Sequence, residues 1–328
     1  MTRPDASVVI VSFNTREVTR ECLTTLERES GGVSYEAIVV DNASRDGSAD
    51  MVASCFPQAT LVRSDVNLGF AAANNRGFAV ARGRHVVLLN SDAFLTPGAL
   101  RRSVELLDAD ARLGLVGGRL VGRDGALQPS ARLFNSVLND LLALSGLASR
   151  RPRSRFFGRF DRTWADPAQP ADVDWVPGAY SAIRAEALER AGPFDERFFL
   201  YYEEVDLCRR IKAAGYTIGY RPEIEVVHLG GESSRTVTRL SMSSAGAQLT
   251  LWRMRSGFLY YRKNHGWLTA RAARALEASW HRVRAWRHAR RTHPEARAKA
   301  EESRAIVALL RQAWSETRGG LLSPPRPW

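Results

Sequence analysis

The sequence predicts an α/β protein, a mostly parallel sheet flanked by helices, followed by a basic helical C-terminal extension. Three observations carry this. Short β-branched runs alternate with amphipathic segments through the first 120 residues, as strands do when helices cover both faces of a sheet. Several runs end abruptly on polar residues, such as Asp41 after Ala37–Val40 and Asn90 after Val86–Leu89. After about Ser244 the period becomes helical, with Arg, Trp, Tyr and Leu interleaved as far as Trp314.

Element by element, Ser7–Phe13 reads as a strand, and Asn14 with Glu17 reads as a cap and capping box for a helix to about Glu29. Tyr35–Val40 is the second strand, Ser48–Phe56 a short helix, and Thr60–Arg63 the third strand. A helix from Phe70 to Ala81 precedes a strand at His85–Leu89. Pro97 suits the first position of a helix to Leu107, since its missing N–H costs nothing there. Leu113–Leu120 is a fifth strand. From Ser149 to Asp172 periodicity disappears, which predicts a long mobile loop. The pattern resumes at Asp174–Ser181, with a helix at Arg184–Ala191 and a strand at Ile224–Leu229. The segment from Gly319 to Trp328, rich in Pro and Gly, is expected to be disordered.

The 328 residues suffice for one large domain or two modest ones. A net charge of +12 calls for an anionic partner: nucleic acid, acidic lipid headgroups or a phosphorylated substrate. No nucleic-acid recognition motif accompanies the charge, so nucleic acid is not expected. Cys22, Cys55 and Cys208 are scattered without metal-ligand spacing and read as reduced, buried thiols. Neither a secretory signal nor a run of roughly 20 apolar residues is visible. Val137–Ala148 is interrupted by Asn139 and Asp140 and reads as a core or interfacial helix.

The chemistry concentrates in Phe198–Arg210, where Glu203, Glu204 and Asp206 follow the aromatic run Phe198-Phe199-Leu200-Tyr201-Tyr202. Aromatics of that density seek burial, and buried carboxylates are costly unless they pair, bind metal or move protons. Glu203 or Glu204 is therefore a candidate general base at the wall of a cleft. Ligands of open α/β sheets bind beyond the carboxyl ends of strands. Asp41 and Asp92 both stand there, and His228 stands at a third strand end before Gly230-Gly231. Asn67-Leu68-Gly69-Phe70 opens a helix of small residues ending at Arg76, a start that suits an anion. The G-x-G-x-x-G and G-x-x-x-x-G-K-[ST] patterns are absent.

These pieces, in this order, resemble the inverting family 2 glycosyltransferases of GT-A fold, particularly bacterial rhamnosyltransferases and galactofuranosyltransferases of polysaccharide assembly. The resemblance spans about Ser7 to Ser234. It rests on Val8–Asn14, Val39–Ser44, Asn67–Phe70, Leu88–Asp92, Trp175–Ala179 and Glu203–Arg210. It implies a Rossmann-like GT-A catalytic domain over residues 1–240. Residues 1–120 would be its nucleotide-binding half and 121–240 its acceptor half, with the mobile loop at 149–172. A basic helical extension at 241–318 and a disordered tail at 319–328 would follow. Asp41 resembles the acid that accepts a hydrogen bond from the ring N–H of uracil or thymine. The nucleotide would meet Ser12, Asn14, Asn67, Gly69, Phe70, Arg76, Asn90 and Ser91 as well. Asn90-Ser91-Asp92 resembles a degenerate Asp-x-Asp motif, with Asp92, and His228 further on, implied as ligands of a divalent cation, Mg²⁺ or Mn²⁺.

The family pattern Glu-Asp-x-Asp-Leu-Cys-x-Arg becomes Glu203-Glu204-Val205-Asp206-Leu207-Cys208-Arg209-Arg210. It puts the base at Glu204, with Glu203 and Asp206 beside it as catalytic candidates. On a helix Glu203 and Glu204 point about 100° apart. One would face the acceptor and the other pair with an arginine.

The implied reaction moves a sugar, L-rhamnose for preference, from a dTDP- or UDP-sugar to a saccharide or polyprenyl-diphosphate-linked acceptor of the cell envelope or O-antigen. Alternatives are a UDP-dependent galactofuranosyltransferase or a non-catalytic sugar-nucleotide-binding homologue, the latter favoured by Asn90. A nucleotidyltransferase would need a Gly-rich loop, whereas Val11–Arg16 has no glycine. The implied location is cytoplasmic, peripheral to the inner face of the plasma membrane. Trp252, Phe258, Tyr260, Tyr261, Trp267, Trp280 and Trp286 lie among many arginines. They suit either an anionic membrane surface or packing against the catalytic domain.

Overall fold

The computed structural model of the chain describes residues 3–230, 245–291 and 293–324. Its first strands, β1 (Ala6–Ser12), β2 (Tyr35–Asn42), β3 (Thr60–Ser64) and β4 (His85–Leu89), are parallel and stand in the order β3-β2-β1-β4. Helices α1 (Arg16–Glu29), α2 (Ser48–Cys55) and α3 (Gly69–Phe78) connect them. Side chains alternate between two cores, as the period of two requires. Val9, Ile38, Val40, Val86 and Leu88 enter one, and Val8, Ile10, Val39, Val87 and Leu89 enter the other. A strand apolar on both sides needs cover on both faces, which explains the continuous runs in the sequence.

The second half of the sheet is mixed. After β5 (Ala93–Leu95) and α4 (Ala99–Ala109) come β6 (Leu113–Val121), β7 (Leu127–Gln128), α5 (Val137–Leu144), α6 (Leu147–Arg150) and β8 (Ala171–Asp172). Then follow β9 (Tyr180–Arg184), α7 (Ala185–Ala191), α8 (Glu203–Ala213) and β10 (Thr217–His228). The main order is β3-β2-β1-β4-β9-β6-β10-β5, with β7 paired to β6, β8 paired to β10, and β9 antiparallel to both β4 and β6. β10 runs parallel to β6 through an irregularity between Arg221 and Glu225, which hid its first half from the sequence pattern. Where the pattern resumes at Asp174–Ser181, residues 174–179 form irregular chain and regular structure begins with β9 at Tyr180.

Several boundaries also moved. Thr15, not Asn14, holds the N-cap position of α1 without a side-chain cap bond: Asn14 adopts a left-handed backbone (φ 53°), and Asp46 Oδ2 accepts from Arg16 N at 2.8 Å. Gly98, not Pro97, precedes α4. Residues 151–170 carry turns, held by contacts such as Tyr220 Oη donating to Pro167 O at 2.7 Å.

Helices α9 (Ala245–His265), α10 (Trp267–Ala289) and α11 (Pro294–Glu316) complete the described chain. Trp252, Phe258, Tyr260 and Tyr261 are buried, so these four face protein, while Trp267 and Trp286 are exposed. Lys263 Nζ reaches Asp195 Oδ2 at 2.8 Å and Asp206 Oδ2 at 2.9 Å, and Ser256 Oγ donates to Leu200 O at 2.8 Å. Tyr261 Oη donates to Asp140 Oδ2 at 2.6 Å, tying α9 to α5. The segment expected to be disordered from residue 319 starts as a packed turn, with Gly319 N donating to Trp314 O at 2.8 Å. Its last residues, 325–328, lie outside the described ones. Among the described residues no helix is long and apolar enough to cross a membrane. Cys22 and Cys208 are buried as expected, but Cys55 is exposed with Arg20 Nη1 3.2 Å from its sulfur.

Candidate active site

A cavity of about 350 Å³ opens at the carboxyl ends of β1, β2 and β4. Parallel strands end there together, and the chain leaves each by a loop whose polar groups face the opening. Asn42 ends β2, and its side chain anchors the next loop: Leu68 N donates to its Oδ1 at 2.7 Å and its Nδ2 donates to Asn67 Oδ1 at 2.9 Å. Asn67 Oδ1 also receives Gly69 N at 2.9 Å, setting the first turn of α3. Gly69 has φ 80°, and a Cβ there would lie 2.4 Å from Phe199 O. The close approach lets Phe70 N donate to Phe199 O at 2.7 Å, joining the nucleotide-side loop to the acidic segment.

That segment enters α8 through two consecutive left-handed residues, Tyr201 (φ 71°) and Tyr202 (φ 69°). Such conformations cost about 1–3 kcal/mol each for a bulky residue and gather at functional sites. The corner turns both Glu203 and Glu204 to the cavity, where each has a buried Oε2 without a partner among the described residues. Glu203 is 3% exposed, and burial together with the charge of Glu204 pushes its carboxyl well above the usual range. Burial also raises Glu204, but Arg132 lowers it in part. As a pair they hold one negative charge more readily than two, and Glu204 is the better placed to carry it. The arginine partner expected for one of them is absent among the described residues. Arg210 instead pairs with Asp206, Nε to Oδ2 at 2.9 Å.

Asp206 therefore leaves the list of catalytic candidates. It is fully buried among Arg210, Lys263 and Asn264, and it locks α8 to α9 rather than lining the cavity.

The opposite chemistry gathers at β4 and β10. Asn90, Ser91, Asp92 and His228 all line the cavity. Gln128 Nε2 donates to His228 O at 2.7 Å, which fixes the amide and leaves its Oε1 toward the ring. His228 Nδ1 stands 2.7 Å from that oxygen and so carries the proton. In the neutral imidazole Nε2 is then a bare acceptor, 3.5 Å from Asp92 Oδ1. Two acceptors at that separation can share one cation at ordinary distances of about 2.1 Å, so the residues fit a divalent ion. Among the described residues no third His, Cys, Asp or Glu joins them.

The remaining expected residues sit outside the cavity lining. Ser12 is buried, its hydroxyl shared with Thr15 and Thr19 at 3.3 and 3.0 Å, so Val11 and Phe13 beside it face the opening. Asn14 ties two loops together, accepting from Arg45 N at 2.7 Å while its own N donates to Ser44 Oγ. Arg76 is exposed in the last turn of α3, about two turns from Gly69 and the cavity. Asp41 is 5% exposed; its Oδ2 accepts from Ser44 N at 3.2 Å, and its buried Oδ1 has no partner among the described residues. It lies next to the lining residue Asn42 rather than in the lining itself.

Sequence reasoning missed Asn42, Gln128, Gln248 and Trp252. Asn42 belonged to a quoted motif overshadowed by Asp41. Gln128 sits on a two-residue strand with no pattern of its own, and Gln248 and Trp252 are brought in from the C-terminal extension.

Residues 7–165 match the family model of Glycosyl transferase family 2. Over 202 residues the chain is 28% identical to the N-acetylglucosaminyl-diphospho-decaprenol L-rhamnosyltransferase of Mycobacterium tuberculosis, covering 58% of this chain and 65% of the relative. It is 30% identical to the rhamnosyltransferase WbbL of Escherichia coli (strain K12) over 88 residues, 27% of this chain and 30% of that one. The fold matches a mannosyltransferase from Pyrobaculum calidifontis, solved with GDP-Man and Mn²⁺. The TM-score is 0.55 at 18% identity, over 96% of this chain and 89% of that one. The architecture is GT-A. Residues 7–165 thus form a glycosyl transferase family 2 domain.

Proposed function

We propose that the protein is an inverting hexosyltransferase that moves a sugar from a nucleoside diphosphate to a saccharide hydroxyl. The single observation that carries this is one cavity holding two carboxyl groups of raised pKa, Glu203 and Glu204, together with the Asp92–His228 acceptor pair. Inversion needs one displacement and no covalent enzyme intermediate. Glu204 takes the proton of the attacking hydroxyl, and its raised pKa makes it a better base near neutrality than an ordinary carboxylate. Glu203, held neutral beside it, keeps the local charge to one.

Asp41 Oδ1 is an unpaired buried acceptor next to the cavity lining, suited to the ring N–H of uracil or thymine. The donor is therefore a dTDP- or UDP-sugar, and L-rhamnose is the best choice given the mycobacterial and enterobacterial relatives. Asp92 Oδ1 and His228 Nε2 would hold a divalent cation, Mg²⁺ or Mn²⁺. When bound, it would neutralise the diphosphate that leaves. Asn90 adds a neutral oxygen beside them, so the site needs phosphate and water oxygens to complete it.

The acceptor would be a saccharide or a polyprenyl-diphosphate-linked saccharide of the cell envelope, reached from the cytoplasmic face. The exposed Trp267 and Trp286 among arginines would rest on an anionic membrane surface. Residues 1–240 would form the catalytic domain and 241–318 its basic extension. A non-catalytic nucleotide-sugar-binding role is disfavoured by the strained corner that holds Glu203 and Glu204 in the cavity.

The test is a thermal-shift panel of dTDP-, UDP- and GDP-sugars with and without Mn²⁺, followed by transfer assays of Glu204→Gln and Asp92→Asn. A shift by a dTDP- or UDP-sugar that Mn²⁺ enlarges is expected. Near-wild-type transfer by both variants would sink the mechanism.

A further inference from the structure

Helix α9 lies beyond residues 7–165, the part of the chain the family model matches, yet it supplies Gln248, Leu249 and Trp252 to the cavity wall. Gln248 and Trp252 are four residues apart, so one helix face presents both. Trp252 is 2% exposed. Its ring packs on Phe199 with centroids 4.3 Å apart, and the Arg255 guanidinium lies 4.4 Å from its centroid. The ring is thus fixed by its neighbours, but among the described residues its buried Nε1–H has no acceptor. Gln248 Oε1 is likewise buried with no donor among the described residues. Buried polar atoms left unpaired are destabilising, and a bound molecule that pairs them removes that cost.

We propose that Gln248 and Trp252 form the subsite for the acceptor sugar, Trp252 Nε1–H donating to one ring hydroxyl and Gln248 Oε1 accepting from another. This rests on reading the cavity as a glycosyl-transfer site. Two features select a neutral saccharide over the diphosphate. The unpaired atoms are one donor and one acceptor, and a hydroxyl can pair with both, whereas an ionised phosphate would pair only with the donor. Trp252 also packs on Phe199, four residues before Glu203, so the subsite adjoins the segment that carries the two carboxyl groups. The C-terminal helices thereby become part of the specificity of the enzyme.

Saturation-transfer NMR on the full chain with dTDP and MgCl₂ tests this. The probes are methyl α-L-rhamnopyranoside, methyl N-acetyl-β-D-glucosaminide, methyl α-D-mannopyranoside and methyl β-D-galactofuranoside. At least one is expected to bind the wild type, with affinity falling about three- to tenfold in Gln248→Leu and in Trp252→Phe while dTDP affinity is kept. Gln248→Leu, at a partly exposed position, carries the test if Trp252→Phe fails to fold. Absence of glycoside binding to the wild type, or undiminished binding in the folded variants, would overturn the subsite. Loss of glycoside binding in the variants of a chain that binds neither dTDP nor UDP would leave the subsite standing and remove the donor reading instead.

Discussion

His228 Nε2 stands 3.5 Å from Asp92 Oδ1, while Gln128 Oε1 holds the other face of the ring through Nδ1 at 2.7 Å. An imidazole whose second nitrogen is fixed this way is pre-set as a cation ligand. Gln128→Leu removes that orientation without touching the cavity. The Mn²⁺ concentration needed for half the nucleotide-induced thermal shift should rise roughly 10–100-fold, with His228→Asn at least as damaging. An unchanged Mn²⁺ titration in both variants would contradict the cation site.

The buried pair on α8 gives a pH signature. Glu203 has a folded pKa well above the 4.5 of the free carboxyl, so the native state binds its proton more tightly than the unfolded chain does. Its contribution is fully present below about pH 4.5 and is lost as pH rises through the folded pKa. Glu203→Gln removes that loss. The melting temperature of the variant relative to wild type should therefore rise on moving from about pH 4.5 to pH 8, read by calorimetry across that range.

Gly69 joins the two halves of the site. Gly69→Ala would force a left-handed alanine costing about 1 kcal/mol or more, and would drive its Cβ into Phe199 O at 2.4 Å. The loop must shift, breaking the 2.7 Å bond from Phe70 N to Phe199 O. Chemical denaturation should show a loss of about 2–4 kcal/mol, and dTDP affinity should fall with it.

Helices α5 and α9 are held together by Tyr261 and Asp140. Burial raises the Asp140 carboxyl to about 6 despite the hydrogen bond from Tyr261. The stability it adds is present below about pH 4 and fades as pH rises through about 6. Tyr261→Phe leaves a buried carboxyl without its donor and should cost about 1–3 kcal/mol, whereas Asp140→Asn keeps an acceptor and should be far milder. Urea melts of the two variants at neutral pH decide between these outcomes.

The sequence made legible what depends on local pattern. The runs at Val8–Val11 and Val86–Leu89 are apolar on both faces, so the parallel strands and their polar ends, Asn90 and Asp92 among them, could be read directly. Glu203 and Glu204 were legible because aromatics and carboxylates rarely adjoin without a reason. The antiparallel β9 was not, since Tyr180–Arg184 is a short strand whose partners, β4 and β6, are both distant in sequence. Asp206 misled for a similar reason: its partners Lys263 and Asn264 lie more than fifty residues away. Gln248 and Trp252 joined the cavity only through packing of α9 on Phe199, a contact no local pattern announces.

The central claim is that Glu204 takes the acceptor proton. Release of dTDP from dTDP-L-rhamnose, with Mn²⁺ and an alkyl N-acetylglucosaminyl diphosphate as acceptor, measures it most directly. Glu204→Gln should lower kcat by roughly 10²–10⁴-fold while keeping donor affinity, with Glu203→Gln much less affected. A Glu204→Gln enzyme that turns over at the wild-type rate would contradict the account.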